Sequence, residues 1–517
     1  MKTLKELLKD LDISAPEVEV SALVYDSRKL CRSCLYIAIK GAKFDGHSAI
    51  EEAAKAGAVA ILAQYAGPAQ KKACEEAGCL LYITEDTRLG LAICSSAWFG
   101  HPQDELCTIG ITGTKGKSTT AYMIRSAVRS MGYSCGLIGT VEIDTVSGQI
   151  PSVNTTPGSY ELYSYLREMC DAGAKAVVME VSSQGLMMHR VGGICFDVAV
   201  FTNISPDHIG PNEHKDFEDY LYCKSLLFKS CKTACVNIDD EHVQDILKDS
   251  KCEKTVFFGF DDKAELKALD YKPCDMGGLP GTMISFVHGN DAYTEKFAFP
   301  GRFSVYNILA CISAVSAALP VLKDERDIRD SLGLIIRGIN SALVKGRMEL
   351  LPVSDEYNLM IDYAHNAMAL ESLLTALKEY ARGRLITVFG CGGNRARSRR
   401  FEMGEVSGRL SDLTVITSDN PRDEEPLDII KDIQTGIAKT DGAYVTIADR
   451  KEAIAYAMHE AKIGDIVILA GKGHETYQEI KGVKHHMDER ELVYEILKDD
   501  GNDPAVERML ARYGYLK

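Results

Sequence analysis

The stretch "GITGTKGKSTT", Gly110–Thr120, takes over from an apolar run ending at Ile111 and leads into the helical pattern "AYMIRSAVRSM". Gly113 and Gly116 let the backbone curl so that its N–H groups converge on phosphate oxygens. Lys117 adds positive charge, Ser118 an oxygen suited to Mg²⁺, and the following helix its positive end. The spacing departs from G-x-x-x-x-G-K-[ST], which requires glycine at position 111, where Ile111 stands. Strand, Gly-rich turn, Lys-Ser pair and helix still coincide. Gly113, Thr114, Lys115, Gly116, Lys117, Ser118 and Thr119 therefore read as a nucleotide-binding loop rather than a structural turn.

Outward from this loop, further apolar, β-branched runs end abruptly in polar residues: "AVVMEVSS", "FDVAVFTN", "YNLMIDYAH", "LITVFGCGG", "LTVITSDNP" and "IVILAGKGHE". Helical patterns lie between most of them. Strands alternating with helices predict an α/β protein with parallel sheets covered on both faces, whose ligands bind beyond the carboxyl ends of the strands. The first hundred residues are a shorter, mixed segment punctuated by Gly and Ala. Boundaries near "FGHPQDE" and "SALVKGRMELL" divide the 517 residues into three domains, 1–100, 101–340 and 341–517.

The net charge of −15 argues against nucleic acid or an anionic membrane as partner, though not against a small anion in a local basic pocket. The N-terminus is not expected to be a signal peptide, because Glu6, Asp10 and Asp12 interrupt it; Leu4, Leu7, Leu8 and Leu11 instead give one apolar helical face. No apolar run is long enough to span a bilayer, so a cytoplasmic protein is expected. The 16 cysteines show no disulfide framework and are expected to be reduced. Cys31 and Cys34 form a lone C-x-x-C without a second ligand pair and read as packing.

Several side chains sit where chemistry is expected. Glu180 ends one strand, and Asp207 and His208 follow the next; an acidic strand end beside a phosphate loop is a usual Mg²⁺ partner. Lys224 lies in the apolar helical context "YLYCKSLLF", and Thr155 and Thr156 in a polar turn. In "SDNPRDEEP" a single cation, Arg422, stands among Asp419, Asp423, Glu424 and Glu425 in a proline-bracketed loop.

With "GTKGKST", "NTTP", "MEVSS", "FTNISPDH", "DYAH", "GCGGNR", "SDNPR" and "GKGHE" in this order, essentially the whole chain resembles the Mur ligase family. The resemblance implies an N-terminal domain that holds a uridine nucleotide, a central P-loop ATPase domain and a C-terminal Rossmann-like domain that binds the amino acid. "YDSR" then assigns Asp26, Ser27 and Arg28 to the uridine nucleotide. Thr155, Thr156, Ser182 and Arg190 match positions that grip the muramoyl-dipeptide. Glu180 and His208 match magnesium ligands beside Ser118, and Lys224 matches a carbamylated lysine that helps hold a second Mg²⁺. Lys117, Glu180, His208 and Lys224 form the implied catalytic set. Asn307, Arg347, Asp362 and His365 resemble residues that meet ATP. Arg395, Asp419, Asn420, Arg422, Gly471 and Glu475 match contacts to the incoming amino acid.

The implied reaction is ATP-driven amide formation. It joins UDP-MurNAc-L-Ala-D-Glu to an amino acid through an acyl phosphate, with ATP and Mg²⁺ as cofactors and the protein acting as a monomer on small molecules. "DNPR", with arginine last, points to meso-diaminopimelate, whose far carboxylate suits a bidentate guanidinium. "DHIGPNEHKDFEDYLYCK" resembles the lysine-adding branch, so L-lysine is the alternative. A folylpolyglutamate synthase-like ligase shares the ATPase core but not the "DSR" segment. A non-enzymatic nucleotide switch explains the phosphate loop but not the strand-end clusters of the last third. Departures from the family pattern are "CRSC" after "YDSR", Gln184 where histidine is common, "DYAHNA" without the usual proline, and Asn394 in place of aspartate.

Overall fold

The strand Cys107–Thr112, which leads into the phosphate loop, is buried at all six residues. Ala176–Glu180 and Phe196–Phe201 are likewise buried throughout. Such uninterrupted apolar strands need cover on both faces, which parallel sheets with helical crossovers supply. The computed structural model describes residues 2–207, 209–210, 213–276, 280–326 and 328–516. The chain forms two compact units, Met1–Lys267 with Tyr306–Ile339, and Ala268–Val305 with Asn340–Lys517.

In the first unit, Cys107–Thr112 pairs in parallel with Ala176–Glu180 on one side and Phe196–Phe201 on the other. Cys135–Ile138 lies beyond the first neighbour. Cys231–Asn237 and then Lys254–Gly259 lie beyond the second. The chain thus steps to one side after Cys107–Thr112 and later returns to the other. That reversal opens a crevice at the carboxyl end of the strand, and the phosphate loop occupies it.

The same unit carries a four-stranded parallel sheet, Ala22–Val24, Cys34–Ile37, Ala60–Ala63 and Leu80–Ile83, in that order. Alternate residues face two cores: Tyr36 and Ile61 pack with Ile50 and Ala53, whereas Leu35, Ile37 and Leu62 pack with Leu4, Leu7 and Leu8. The helix Leu4–Leu8 is held at its start by reciprocal hydrogen bonds between Thr3 and Glu6. The expectation of reduced thiols throughout is corrected at one pair. Cys231 and Cys252 are joined, because the start of one strand and the approach to the next bring their Cα atoms to 5.4 Å.

The second unit has a six-stranded sheet in the order Glu349–Leu351, Asn358–Asp362, Ile466–Ala470, Leu385–Phe389, Leu413–Ile416, Tyr444–Thr446. All pairs are parallel except the first. Leu359, Ile361, Val467 and Leu469 face one core, and Met360, Ile466, Ile468 and Phe389 the other. Each fully buried side chain of this kind contributes roughly 1.5–3 kcal/mol. A hairpin, Tyr477–Ile480 with Val483–His486, follows the Ile466–Ala470 strand. No helix among the described residues is long and apolar enough to cross a membrane.

Candidate active site

The phosphate loop is built where glycine is obligatory. Gly113 has φ +152° and Gly116 φ +85°, and a Cβ on Gly113 would stand 2.0 Å from Thr202 Oγ1. The loop after Phe196–Phe201 clasps it from the side. Asn203 O accepts from Thr114 N at 2.8 Å and Asn203 Oδ1 from Lys115 N at 2.9 Å, while Thr202 Oγ1 donates to Lys115 O at 2.8 Å. Lys117 Nζ donates to the carbonyls of Gly113 and Thr114 at 2.7 and 3.1 Å. Asn307 Oδ1 accepts from Thr120 Oγ1 at 3.3 Å, and Thr119 lies half-buried in the first turn of the helix Lys117–Ser130.

Ser118 Oγ donates to Glu180 Oε2 at 2.9 Å. Glu180 is 1% exposed and also accepts from Thr140 N at 2.8 Å and Thr140 Oγ1 at 3.1 Å. A buried carboxylate ringed by hydroxyls is a set of hard oxygen donors, the kind Mg²⁺ takes. The dipeptide candidates gather at the same strand end. Thr155 meets Thr140 at 3.0 Å, Thr156 Oγ1 donates to Glu180 O at 3.0 Å, and Ser182 N donates to Thr156 Oγ1 at 3.0 Å. Arg190 Nη1 donates to Thr156 O at 2.7 Å.

Lys224 is 1% exposed. Its Nζ donates to Gly113 O at 2.8 Å and lies 4.5 Å from the centre of the Tyr220 ring. Burial, followed by the charge of Lys117, pushes its amine well below the usual lysine range. Asp207 pairs with Lys115 at 3.0 Å, while His208 lies outside the described residues. His214, buried completely, meets Ser183 Oγ through Nε2 at 2.8 Å and Asp219 Oδ2 through Nδ1 at 3.0 Å. It ties the segment after Glu180 to the helix Phe217–Ser225, which carries Lys224.

Asp26 caps the short 3₁₀ turn Ser27–Lys29. Arg28 folds back on it with Nε and Nη2 at 2.9 and 2.7 Å, and its side chain is 87% exposed. The Arg28 hydrogen bonds hold the Asp26 carboxyl down at about 2.

In the second unit, Asp362 is buried and accepts from Met348 N and Ala364 N, each at 2.8 Å. Burial pushes its carboxyl up, against Arg347. The Arg347 guanidinium lies 4.9 Å from the Tyr363 ring centre, and that ring also meets His365 and His474. His365 Nδ1 lies 2.8 Å from Tyr363 O. His474 is pushed down to about 4 by burial and then by Arg347, and its buried Nδ1 has no hydrogen-bond partner.

The amino-acid candidates meet at the ends of the neighbouring strands Leu413–Ile416, Leu385–Phe389 and Ile466–Ala470. Asn420 Nδ2 donates to Glu475 Oε2 at 2.8 Å. Asp419 Oδ1 accepts from Asn420 N at 2.6 Å, and Gly471 faces Asp419 so closely that a Cβ would stand 2.8 Å from Oδ2. The carboxylates around Arg422 divide their work. Asp423 accepts from Asn394 Nδ2 at 2.6 Å, and Glu424 takes the buried Arg400 at 2.7 Å. Arg422 itself meets Glu479 and Gly393 O. Arg395 is exposed and flanks Gly392.

Sequence reasoning missed four supports here. Lys472, with no exposed surface, donates to Asn420 Oδ1 and Glu475 Oε2, both at 2.9 Å. It outweighs the burial that opposes Glu475 ionisation, and the carboxyl is held below its usual range. Arg450 reaches Ser418 O and Ala470 O, both at 3.1 Å, and pairs with the buried Glu489 at 2.7 Å. Glu479 completes the set. Lys472 was signalled by its place inside "GKGHE"; nothing local marks the other three.

Comparison with known proteins covers nearly the whole chain. Residues 111–315 match the Mur ligase middle domain, 346–473 the Mur ligase glutamate ligase domain, and 19–97 the Mur ligase family catalytic domain. A UDP-N-acetylmuramoyl-L-alanyl-D-glutamate–2,6-diaminopimelate ligase of Caldanaerobacter subterraneus subsp. tengcongensis is 41% identical over 489 residues, covering 94% of this chain and 96% of its own. The like-named protein of Clostridium perfringens is 39% identical and covers 96% and 99%. A solved structure with that name superimposes with a TM-score of 0.70 at 28% identity, over 97% of this chain and 100% of its own. Folylpolyglutamate synthase of Mycobacterium tuberculosis shares the fold at 17% identity, with a TM-score of 0.57 over 74% of this chain and 92% of its own.

Proposed function

The chain belongs to the Mur ligase family, and from that membership we propose that it joins meso-diaminopimelate to UDP-MurNAc-L-Ala-D-Glu at the expense of ATP. The observation that carries the reading is identity of about 40% along nearly the full length to relatives named for that reaction. In this reading, residues 1–100 hold the uridine nucleotide through Asp26, Ser27 and Arg28. Residues 101–340 form the ATPase domain, and residues 341–517 bind the amino acid. The protein works as a cytoplasmic monomer.

The loop amides and Lys117 orient the triphosphate, with Asn307, Arg347, Asp362 and His365 as further ATP contacts. Thr155, Thr156, Ser182 and Arg190 hold the dipeptide so that its D-glutamyl γ-carboxylate attacks the γ-phosphate. ADP leaves, and an acyl phosphate forms. Mg²⁺ held by Ser118, Glu180, His208 and carbamylated Lys224 would neutralise charge during that transfer. Burial lowers the basicity of the Lys224 amine and so favours the uncharged form, the one that accepts CO₂. Arg395, Asp419, Asn420, Arg422, Gly471 and Glu475 then present the amino acid. Its amine attacks the acyl carbon, and inorganic phosphate departs.

Arg422 favours diaminopimelate over L-lysine, because lysine brings no carboxylate to a half-buried guanidinium. The test is ADP release with ATP, Mg²⁺, UDP-MurNAc-L-Ala-D-Glu and each amino acid. Turnover is expected only with all substrates present, and faster with meso-diaminopimelate. Robust ATPase activity without the dipeptide, or no ligation of either amino acid, would overturn the assignment.

A further inference from the structure

Arg422 is held more tightly than a surface loop requires. Its Nε donates to Glu479 Oε2 at 3.0 Å and its Nη1 to Gly393 O at 2.8 Å. The two charged side chains are 22% and 28% exposed. The backbone is fixed as well: Arg422 N donates to Glu479 O at 2.9 Å, and Lys481 N to Arg422 O at 2.8 Å. This parallel bridge at Ile480 lashes the hairpin Tyr477–Ile480 and Val483–His486 onto the loop. Arg422 takes φ +52°, a left-handed conformation disfavoured for a residue with a Cβ. The hairpin contacts hold it there.

The surroundings supply matched charges. A Cβ on Gly392 would stand 2.7 Å from Arg422 Nη1 and 3.8 Å from Arg395 Cγ, so two arginine chains flank one glycine. Glu475, already among the amino-acid contacts, accepts from Lys472 and Asn420 through Oε2. Glu479 meets Arg422 through Oε2 alone, leaving acceptor capacity beside the guanidinium.

We propose that Glu479 is a specificity-determining residue. With Arg422 it forms a receptor for an α-amino-acid group at the far end of the incoming substrate, the guanidinium taking the carboxylate and Glu479 the ammonium. The proposal rests on the reading of the chain as a diaminopimelate-adding ligase and deepens it. Meso-diaminopimelate carries both groups at its far end. L-2-aminopimelate carries only the carboxylate and leaves Glu479 unmatched. L-lysine carries only the ammonium and leaves Arg422 unmatched. If Glu479 only propped Arg422, the two diacids would be used alike.

The test is kcat/KM of the full-length enzyme for meso-diaminopimelate, L-2-aminopimelate and L-lysine, with ATP, Mg²⁺ and UDP-MurNAc-L-Ala-D-Glu saturating. Wild type should prefer diaminopimelate to 2-aminopimelate by on the order of tenfold or more, the effect of one charge-assisted hydrogen bond. Glu479→Gln keeps a hydrogen bond to Arg422 but not the charge, and should bring that ratio to within about threefold. Glu479→Asp should retain the preference. Equal use of the two diacids by wild type, or equal losses on both in Glu479→Gln, overturns the role of Glu479 while leaving the ligase reading intact. Failure of wild type to ligate any of the three overturns the reading beneath it.

Discussion

The phosphate loop of the first unit and the amino-acid end of the second both begin where parallel strands stop, yet they are held differently. The loop is held through its backbone, by hydrogen bonds with Thr202 and Asn203 and by the Lys117 and Lys224 amines on its carbonyls. The amino-acid end is held by charge: Arg450 with Glu489, Lys472 with Glu475, and Arg422 with Glu479. A phosphate group is the same in every nucleotide, so amides from one short segment suffice to cradle it. An amino-acid side chain must be told from its relatives, and that takes polar side chains fixed at defined positions. In the proposed reading they come from three separate stretches, 392–395, 419–425 and 471–479.

If the first site works through positioned charge on a backbone cradle, its single cations should be costly to remove. Lys117→Ala is expected to cut turnover by about 10²–10³-fold, the cost of losing one preorganised donor, without unfolding the protein. Thermal melting alongside the ADP-release rate checks this, and a rate within a few-fold of wild type would break the comparison. Lys224→Ala should fall by about 10²-fold, and short-chain carboxylates should restore part of the loss if a carbamate is the working form. Full activity of an unmodified Lys224 in bicarbonate-free buffer would sink that role.

The second site sharpens the contrast through Arg450, which spans the carbonyl ends of two strands without belonging to any motif. Removing it alone leaves the buried Glu489 uncompensated, so the informative variant replaces both. Arg450→Met with Glu489→Leu should change stability by no more than about 1–2 kcal/mol, because buried ion pairs exchange for apolar residues at little net cost. The KM for the amino acid should rise about tenfold while that for ATP stays put, since only the strand ends behind Asp419 and Gly471 are loosened. Equal shifts in both constants would show that the pair supports the whole unit and not the pocket.

What was legible in the sequence follows the same division. The phosphate loop, Glu180 and the polar strand ends announce themselves because each lies next to its own apolar run. Arg422 stands out as one cation among acids. Arg450 and Glu489 do not, because a charged residue opening a helix ordinarily faces solvent, and only the fold shows them 3% and 0% exposed. The N-terminal sheet was equally hidden. Its strands "ALV", "CLYI", "AILA" and "LLYI" are too short for a period to emerge. The Cys231–Cys252 link escaped because its ends lie 21 positions apart in sequence with no motif to pair them.

The smallest expected effect comes from His474, which stands between Gly473 and Glu475 in the second unit. Its imidazole is partly buried, and burial followed by Arg347 pushes it down to about 4, so the folded protein holds it neutral. In the unfolded chain it titrates near 6.5. Protons then bind the unfolded state more readily, and the stability that His474 contributes is complete above pH 6.5 and lost as pH falls from there towards 4. Between pH 6.5 and 5.5 the loss should be about 1 kcal/mol, since one pKa unit corresponds to 1.36 kcal/mol and part of the ring is exposed. Glu475, held below its usual range, gives way only at still lower pH and does not blur this window. Denaturant unfolding of wild type and His474→Gln at pH 7.5, 6.5 and 5.5 reads the difference directly. The variant should lose less stability over that interval than wild type. Parallel losses in the two proteins would mean that the acid sensitivity of this unit resides in its ion pairs and not in the imidazole.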